Sequence, residues 1–331
     1  MKIKITIIFT LVFCLSLFGQ VEQVRDTILM GSRFKITVVD SSVVTANAKI
    51  DSVIFEIVRI ENLISDWIPN SQISQVNANA GIRPIKVNQE VFELTQRAIA
   101  YSEMTDGAFD ISFAAMDKIW DFNDFMDSIP SEKVIKNAIS KVGYQNIILY
   151  PADTTIFLRE KGMKIGFGSI GKGYAADKGR YKMTELGINS GIVDASGDLA
   201  TLGKPIKDEH WKIGITNPIK RNKLVAIFKL NTSAITTSGD YEKFVLIGEK
   251  RYSHIINPKT GWPTEGLTSV TIIGPSAELA NAFSTSIMVM GWKGGLQFLK
   301  KYPEYAGLFI TDLGKVIKTS NLKRVLKEQR V

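Results

Sequence analysis

Residues 276–291, SAELANAFSTSIMVMG, combine the spacing of a buried helix with three polar side chains on one face. The apolar residues of this segment suit a hydrophobic core. Asn281, Ser284 and Thr285 stand at positions i, i+3 and i+4, so their side-chain oxygens share one side of the helix. This face either presents oxygen atoms to a ligand, or bonds to the helix backbone and to neighbouring groups.

Around this helix, short apolar runs and segments of helical spacing follow one another along the chain. Four runs predict strands, at residues 34–39, 212–215, 223–230 and 269–273. Three further segments have helical spacing, at residues 48–65, 91–105 and 173–187. Strict βαβ alternation is missing, so the pattern predicts a mixed α+β enzyme domain rather than a doubly wound sheet. We predict one functional unit and leave open whether two lobes flank a cleft.

The first residues have the composition of a secretory signal peptide. Lys2 and Lys4 precede an apolar run that extends to about Phe18, and the small residue Gly19 follows. The run is short for a membrane span. We therefore predict a signal peptide at 1–19 and an exported enzyme domain at 20–331, with an uncleaved membrane anchor as the alternative.

Charge and cysteine content narrow the function classes. The 331 residues include 41 Lys and Arg and 33 Asp and Glu, a formal net charge of +8, which loss of Lys2 and Lys4 lowers by two to +6. The single cysteine, Cys14, lies in the predicted signal peptide, so the mature chain relies on its core and not on disulfides. The positive charge suits an anionic ligand or a membrane surface. Without a basic and aromatic patch, nucleic-acid binding is not expected.

The densest glycine cluster is GFGSIGKGYAAD, at residues 166–177. A G-x-G-x-x-G pattern begins at Gly166 and Lys172 follows it, but Gly173 stands where a phosphate-binding loop has its magnesium-binding hydroxyl. Such loops place backbone N–H groups and a helix N-terminus against phosphate. The cluster therefore predicts phosphate contact. A turn that packs a strand against a helix, and a nicotinamide-binding Rossmann unit, are the alternatives.

His254, one of only two histidines, lies in RYSHIINPKTGWP at residues 251–263. The turn-forming pairs that follow it predict a strand that runs into a tight loop. A lone histidine is often structural, but its position beside this loop makes His254 a catalytic candidate. His210 is expected on the surface.

Three other polar segments have both a structural and a functional interpretation. Asp110 follows a glycine turn and is either a helix cap or a ligand contact. Trp67 precedes a run of Ser, Asn and Gln, and belongs either to a polar loop or to an aromatic platform. Asp194 and Asp198 flank a Ser-Gly turn and are either structural or face a ligand.

The order of these motifs resembles the ApbE family of FAD:protein FMN transferases. The resemblance covers about residues 27–312, and eight motifs carry it in sequence order: Met30-Gly31-Ser32, SDWIPNSQISQVN, TDGAFDIS, GSIGKGYAAD, SGDLATLG, TTSGDYEKF, YSHIINPKTG and ANAFST. It implies an enzyme that binds FAD and Mg²⁺ and transfers FMN to a Thr or Ser hydroxyl of a target protein. The products would be a phosphoester bond and free AMP.

The resemblance also implies a role for each matching residue. The residues that would contact FAD are Met30, Trp67, Ala108, Phe109, Asp110, Lys172 and Ile256. The metal site would consist of Ser169, Asn281, Ser284 and Thr285, in part through backbone oxygens. His254 lies in the Ser-His motif and would assist the transfer as a proton acceptor, since an unperturbed histidine has a pKa of about 6.5.

One departure from the family pattern keeps other functions open. The family usually has Asp at position 281, whereas Asn281 retains an amide oxygen but loses the charge. A periplasmic FAD-binding protein without transferase activity, and an FAD pyrophosphatase that forms FMN and AMP, are the alternatives to an active transferase. An NAD-dependent oxidoreductase built on the glycine cluster is a third.

The resemblance further implies where the enzyme works and on what. It would lie in the periplasm, or on the inner membrane facing the periplasm. Its acceptor would be a flavoprotein subunit with a target Thr or Ser, from a membrane redox pump or among secreted flavoproteins. No residue selects one acceptor.

Overall fold

The computed structural model describes residues 19–122, 126–220 and 222–329. The predicted signal peptide or anchor falls, apart from Gly19, on residues 1–18 and so lies outside the described residues. Among the residues described, no helix is both long enough and apolar enough to cross a membrane.

The described residues form a mixed α+β fold, as the sequence pattern predicts. The α-helices are α1 Val43–Ile64, α2 Gln72–Ala78, α3 Gln89–Met104, α4 Glu132–Ile139, α5 Gly171–Glu185, α6 Ala277–Leu299 and α7 Leu322–Glu328, and two 3-10 helices span Ile111–Ile119 and Tyr144–Asn146. The strands are β1 Val21–Leu29, β2 Ser32–Asp40, β3 Ile85–Lys86, β4 Ile147–Tyr150, β5 Thr155–Leu158, β6 Gly191–Ala195, β7 Asp198–Leu202, β8 Trp211–Thr216, β9 Leu224–Leu230, β10 Ser233–Gly239, β11 Phe244–Ile247, β12 Lys250–Ser253, β13 Leu267–Gly274, β14 Ala306–Thr311 and β15 Val316–Lys318.

An eight-stranded sheet organises the molecule, in the order β1-β2-β6-β7-β10-β13-β14-β15. Helices α1, α5 and α6 pack on one of its faces, while α7 and the β8–β9 hairpin pack on the other. All eight residues of β13 are buried, because successive side chains point to opposite faces and both faces are covered. A small sheet, β3-β5-β4, lies with α2 and α3 around a separate apolar cluster.

The Rossmann alternative for the glycine cluster is wrong. Strand β5, before the cluster, belongs to the three-stranded sheet, whereas β6, after α5, belongs to the eight-stranded sheet. A Rossmann unit needs two parallel strands of one sheet joined by the helix. Every strand pair among the described residues is antiparallel.

The N-terminal half of α5 is fixed against the start of α6. The Asp177 carboxylate of α5 accepts hydrogen bonds from Ser276 Oγ at 2.7 Å and from Glu278 N at 3.0 Å, so it caps the start of α6. At Gly173, an added Cβ would lie 2.4 Å from the carbonyl oxygen of Ala277 and 3.0 Å from Asn281 Cβ. The glycine therefore permits a close approach, which places Lys172 beside the polar face of α6.

Candidate active site

A cavity of about 1000 Å³ is lined by α6, the end of β10, and the loop that precedes α5. It brings together ten of the twelve residues predicted for the site. Those ten are Trp67, Ala108, Phe109, Asp110, Ser169, Lys172, His254, Ile256, Asn281 and Thr285. Met30 and Ser284 do not line it.

The polar face of α6 divides between the cavity and the core. Asn281 and Thr285 line the cavity, one helical turn apart. Ser284 is fully buried, donates to the backbone oxygen of Asn281 at 3.0 Å, and lies 2.8 Å from Ser238 Oγ on β10. The same Ser238 hydroxyl lies 3.3 Å from Thr285 Oγ1. Ser284 therefore follows the structural interpretation of this face, whereas ligand binding by Asn281 and Thr285 stays a prediction.

Lys172, Asp198 and Asn281 form a connected group in the cavity wall. Lys172 Nζ lies 3.3 Å from Asp198 Oδ2, and Asn281 Nδ2 lies 3.5 Å from Asp198 Oδ1. Burial alone would lower the pKa of Lys172, but the carboxylates of Asp198 and Glu242 more than offset it, and the pKa is raised. The lysine therefore remains a cation at the cavity surface.

The two carboxylates of the β6–β7 hairpin have different roles. The turn consists of Ser196 and Gly197, both with positive φ, as tight hairpins require. Asp194 Oδ1 accepts a hydrogen bond from Gly197 N at 2.8 Å and so stabilises the turn. Asp198, directly after the turn, is only 1% exposed and lines the cavity. Asp194 is thus structural, whereas Asp198 belongs to the site.

The imidazole of His254 is oriented by the backbone. Its Nδ1 lies 2.9 Å from the carbonyl oxygen of Lys243, which can only accept, so the neutral ring carries its hydrogen on Nδ1. The Nε2 lone pair is then the proton acceptor. Burial lowers the pKa of His254 to about 4; the charges of Lys243 and Lys172 act in the same direction, and the carbonyl contact opposes them.

We expect the His254 imidazole to titrate near pH 4 instead of near its ordinary 6.5. A lowered pKa means that the neutral ring persists through pH 5 and 6 and that the imidazolium appears only in stronger acid. An NMR titration of the imidazole C–H signals measures this, with His210→Ala used to assign the two histidines. A midpoint near 6.5 would contradict the packing around His254.

The predicted FAD-contacting triple includes a carboxylate that serves the fold. Asp110 Oδ1 accepts from Ser112 N at 2.8 Å and Ser112 Oγ at 2.6 Å, and Oδ2 accepts from Tyr144 N at 2.9 Å. Asp110 thus caps the first 3-10 helix and ties it to the start of the second, at Tyr144. The Phe109 ring is buried against Tyr101. Both oxygens of the Asp110 carboxylate already accept hydrogen bonds within the protein. A ligand here would therefore contact the residues that Asp110 holds in place more than the carboxylate itself.

Trp67 and Met30 occupy different positions relative to the cavity. Trp67 is 79% exposed and lines it, so its indole is accessible to a flat aromatic ligand. Met30 has a φ of 50° in the tight β1–β2 turn, and its N–H donates to Glu61 Oε2 at 2.9 Å. Its Cε would lie 3.3 Å from a Cβ added at Gly171. Met30 therefore packs beneath the glycine loop.

The glycine cluster serves both packing and the cavity. An added Cβ at Gly168 would meet no atom within 4 Å, and this exposed glycine lines the cavity. Asn77 clamps the same loop, since its amide donates to Ile165 O at 2.9 Å and accepts from Ile165 N at 2.8 Å. The sequence analysis did not single out Asn77, although it lies in the quoted SDWIPNSQISQVN motif. A polar residue on a short helix gives no local signal of a partner 88 residues away.

The charge of the cavity wall is opposite to that of the chain. The ionisable carboxylates and lysines that line it are Asp66, Asp110, Asp198, Glu242, Lys164 and Lys172. Four acids and two lysines leave an acidic wall in a chain of net charge +8. The net charge of the sequence did not indicate this local balance. Burial raises the pKa of all four acids, and an additional cation would reduce their repulsion of an anionic ligand.

The cavity wall offers oxygen atoms that a hard cation could use, although they do not form a carboxylate cluster. In the part of the chain that the structure describes, no group of three or more His, Cys, Asp and Glu side chains could hold a metal ion. Asn281, however, is 5% exposed and its Oδ1 is buried with no hydrogen-bond partner. Thr285 lines the same wall. Amide, hydroxyl and single carboxylate oxygens suit a hard cation such as Mg²⁺, so these residues fit the predicted metal.

Comparison with known proteins identifies similar chains over most of this length. The sequence model of the ApbE family matches residues 30–309. An FAD:protein FMN transferase of Klebsiella pneumoniae is 28% identical over 270 residues, covering 81% of this chain and 84% of that protein. One from Treponema pallidum is 27% identical over 305 residues, with coverage of 87% and 84%. The crystal structure of the ApbE protein from Thermotoga maritima superposes with a TM-score of 0.84 at 27% identity, over 92% of this chain and 99% of that one.

Proposed function

The chain belongs to the ApbE family, and from this we propose that it is an FAD:protein FMN transferase. One observation carries the proposal: a single cavity brings together a lysine, an oriented neutral histidine, a metal-compatible face and an exposed indole. At about 1000 Å³ the cavity lies at the upper end of the range of about 300–1,000 Å³ for small-molecule sites, which suits a dinucleotide.

We propose the following reaction at this site. A Thr or Ser hydroxyl of the acceptor protein attacks the phosphorus of the FMN half of FAD, and a new P–O bond forms. The P–O bond to the bridging oxygen breaks, and AMP leaves with that oxygen. The hydroxyl proton passes to Nε2 of His254, whose Nδ1–H remains directed at the Lys243 carbonyl. Covalent FMN-protein and AMP are the products.

The residues around the pyrophosphate have separate tasks. Lys172 supplies a positive charge next to the buried Asp198. The exposed surface at Gly168 leaves room for phosphate oxygens near the N-terminus of α5. The indole of Trp67 offers a face on which a flavin or adenine ring would stack. These groups position the substrate, which is the largest part of phosphoryl-transfer catalysis.

We further propose that the reaction depends on Mg²⁺. Asn281 Oδ1, Thr285 and the segment at Ser169 would hold the ion, and Ser284 would support Thr285 through Ser238. When bound, Mg²⁺ neutralises charge on phosphate oxygens. The acidic cavity wall supports this proposal, because a pyrophosphate with two negative charges would otherwise meet four carboxylates and two lysines.

Replacement of Lys172 by alanine is expected to weaken FAD binding by roughly 10- to 100-fold, the range for a lost charge-assisted hydrogen bond. Binding of FMN and riboflavin, which lack the pyrophosphate, should weaken less. Flavin fluorescence titrations measure all three. Lys172→Arg retains the charge and serves as the control, and melting curves report any cost of leaving Asp198 buried without its cation. Equal weakening of the three flavins would remove Lys172 from the phosphate site.

Purified residues 20–331, incubated with FAD, Mg²⁺ and a threonine-bearing acceptor domain, provide the test. AMP release together with an FMN-sized mass gain of the acceptor is the expected result. AMP without the mass gain would favour the FAD pyrophosphatase. Bound FAD without either signal would favour an FAD-binding protein, and would overturn the transferase.

We propose that the acceptor is an exported or membrane-bound flavoprotein subunit, and that the enzyme itself is exported. The basic and apolar composition of residues 1–19 supports export. Cell fractionation of the tagged full-length chain tests it, and retention in the cytoplasm would contradict it.

A further inference from the structure

We propose that Asp198 supplies the negative charge of the metal site and holds the Asn281 amide with its oxygen toward the cavity. The inference rests on the proposed Mg²⁺-dependent function and assigns the charge to a strand residue outside α6. The residues predicted for the metal site, Ser169, Asn281, Ser284 and Thr285, are all uncharged, and Asp198 is the carboxylate in contact with one of them.

The orientation of the Asn281 amide follows from its neighbour. Its Nδ2 lies 3.5 Å from Asp198 Oδ1, and a carboxylate repels an amide oxygen but accepts from an amide N–H. The contact therefore fixes Oδ1 on the other side of the group. That Oδ1 is buried without a hydrogen-bond partner, on a residue only 5% exposed. An orphaned buried acceptor is costly unless a ligand satisfies it.

The short side chain of Asp198 is positioned by the backbone of the β6–β7 hairpin. It is the first residue of β7, directly after the two-residue turn, and pairs with Ala195 across the hairpin. Burial raises the pKa of the Asp198 carboxyl, and two contacts oppose this by favouring its charged form: Lys172 Nζ at 3.3 Å and the backbone N–H of Thr237. Lys172 is partly exposed. It would be free to extend toward a phosphate if a metal ion, in its place, neutralised the charge of Asp198.

Acid and amide at these two positions are interchangeable in principle. Asn at 198 and Asp at 281 would keep one carboxylate, one amide and one N–H···O contact in the same place. If metal binding requires one carboxylate in this pair, the exchange variant should still bind the metal. Asp198→Asn alone, which leaves no carboxylate in the pair, should not. Asp194, in the same hairpin but bonded to the turn at Gly197, provides a matched carboxylate outside the group.

Mn²⁺ binding, followed by the EPR signal of the free ion with and without ADP, tests the inference without turnover. Asp198→Asn is expected to weaken Mn²⁺ binding by roughly 10- to 100-fold, as loss of a group that orients a metal ligand does. The Asp198→Asn/Asn281→Asp exchange should restore most of the affinity, and Asp194→Asn should leave it near that of the unmodified chain.

Two results would overturn the inference: unchanged Mn²⁺ binding by Asp198→Asn, or an exchange variant no stronger than Asp198→Asn. If melting curves show that Asp198→Asn does not fold, the exchange variant is the test. Mn²⁺ affinity near that of the unmodified chain would support the inference, and loss of that affinity would overturn it. The proposed function fails separately, when the unmodified chain binds Mn²⁺ as expected but transfers no FMN.

Discussion

Replacement of His254 by alanine is expected to slow FMN transfer by roughly 10²- to 10⁴-fold, the range for a lost general base. FAD affinity should remain largely unchanged, because the proposed partner of His254 is the acceptor hydroxyl. Lys243 fixes the reactive tautomer through its carbonyl, and burial lowers the pKa to about 4. The ring is therefore neutral at any pH above that value, with the Nε2 lone pair available, although a pKa near 4 makes it a weaker base than an unperturbed imidazole.

Single-turnover transfer assays and flavin fluorescence titrations measure the two effects separately. His210→Ala is the matched control, since it removes the other histidine, which contacts Asn231 instead of the cavity. His254→Gln offers a second test, because an amide can still donate to the Lys243 carbonyl but takes up no proton. Flavin incorporation by His254→Ala at the unmodified rate would remove His254 from the mechanism.

Replacement of Gly173 by alanine is expected to destabilise the fold and to disrupt the site. Alanine favours a helix interior over glycine by about 0.8–1.0 kcal/mol. Against this, the added Cβ would lie 2.4 Å from the Ala277 carbonyl oxygen, and overpacking of this kind costs about 1–3 kcal/mol. The contact is with backbone, which cannot rotate away. We expect the clash to outweigh the gain and to push α5 away from α6.

Thermal unfolding and Mn²⁺ binding measure the consequence of this separation. The melting temperature should fall by several degrees, and Mn²⁺ and FAD should bind more weakly, because Lys172 and Asn281 lie on the two separated helices. Gly168→Ala is the control for stability, since its added Cβ meets no atom within 4 Å. A Gly173→Ala variant as stable as the unmodified chain would show that α5 and α6 do not need their close contact.

Local periodicity predicted most of the elements near the site correctly. The predicted helix at 173–187 is α5, Gly171–Glu185, and the predicted strand at 269–273 lies within β13, Leu267–Gly274. The helix at 276–291 extends to Leu299 but breaks at Gly291, where φ is 73°. Apolar spacing and turn residues are local signals, so they find elements well and place their ends less well.

The arrangement of those elements was not available from local pattern. The G-x-G-x-x-G spacing permitted a Rossmann unit, and only the assignment of β5 and β6 to different sheets excluded it. The same spacing left phosphate contact and helix packing as alternatives. In the structure, Gly168 lines the cavity and Gly173 packs against α6. The sequence could not separate the two roles, because they depend on which atoms of distant segments an added Cβ would meet.

The sequence alone was sufficient for the α+β class, the family resemblance and the residue types of the site, because these depend on spacing along the chain. Tertiary structure decided which of those residues face one another. It directed Ser284 to Ser238, made Asp194 a turn cap, and placed Asp198 beside Asn281, 83 residues away. It also concentrated acidic groups in the wall of a cavity within a basic chain. Composition and periodicity contain no distances between remote segments, and the electrostatics of the candidate site depend on those distances.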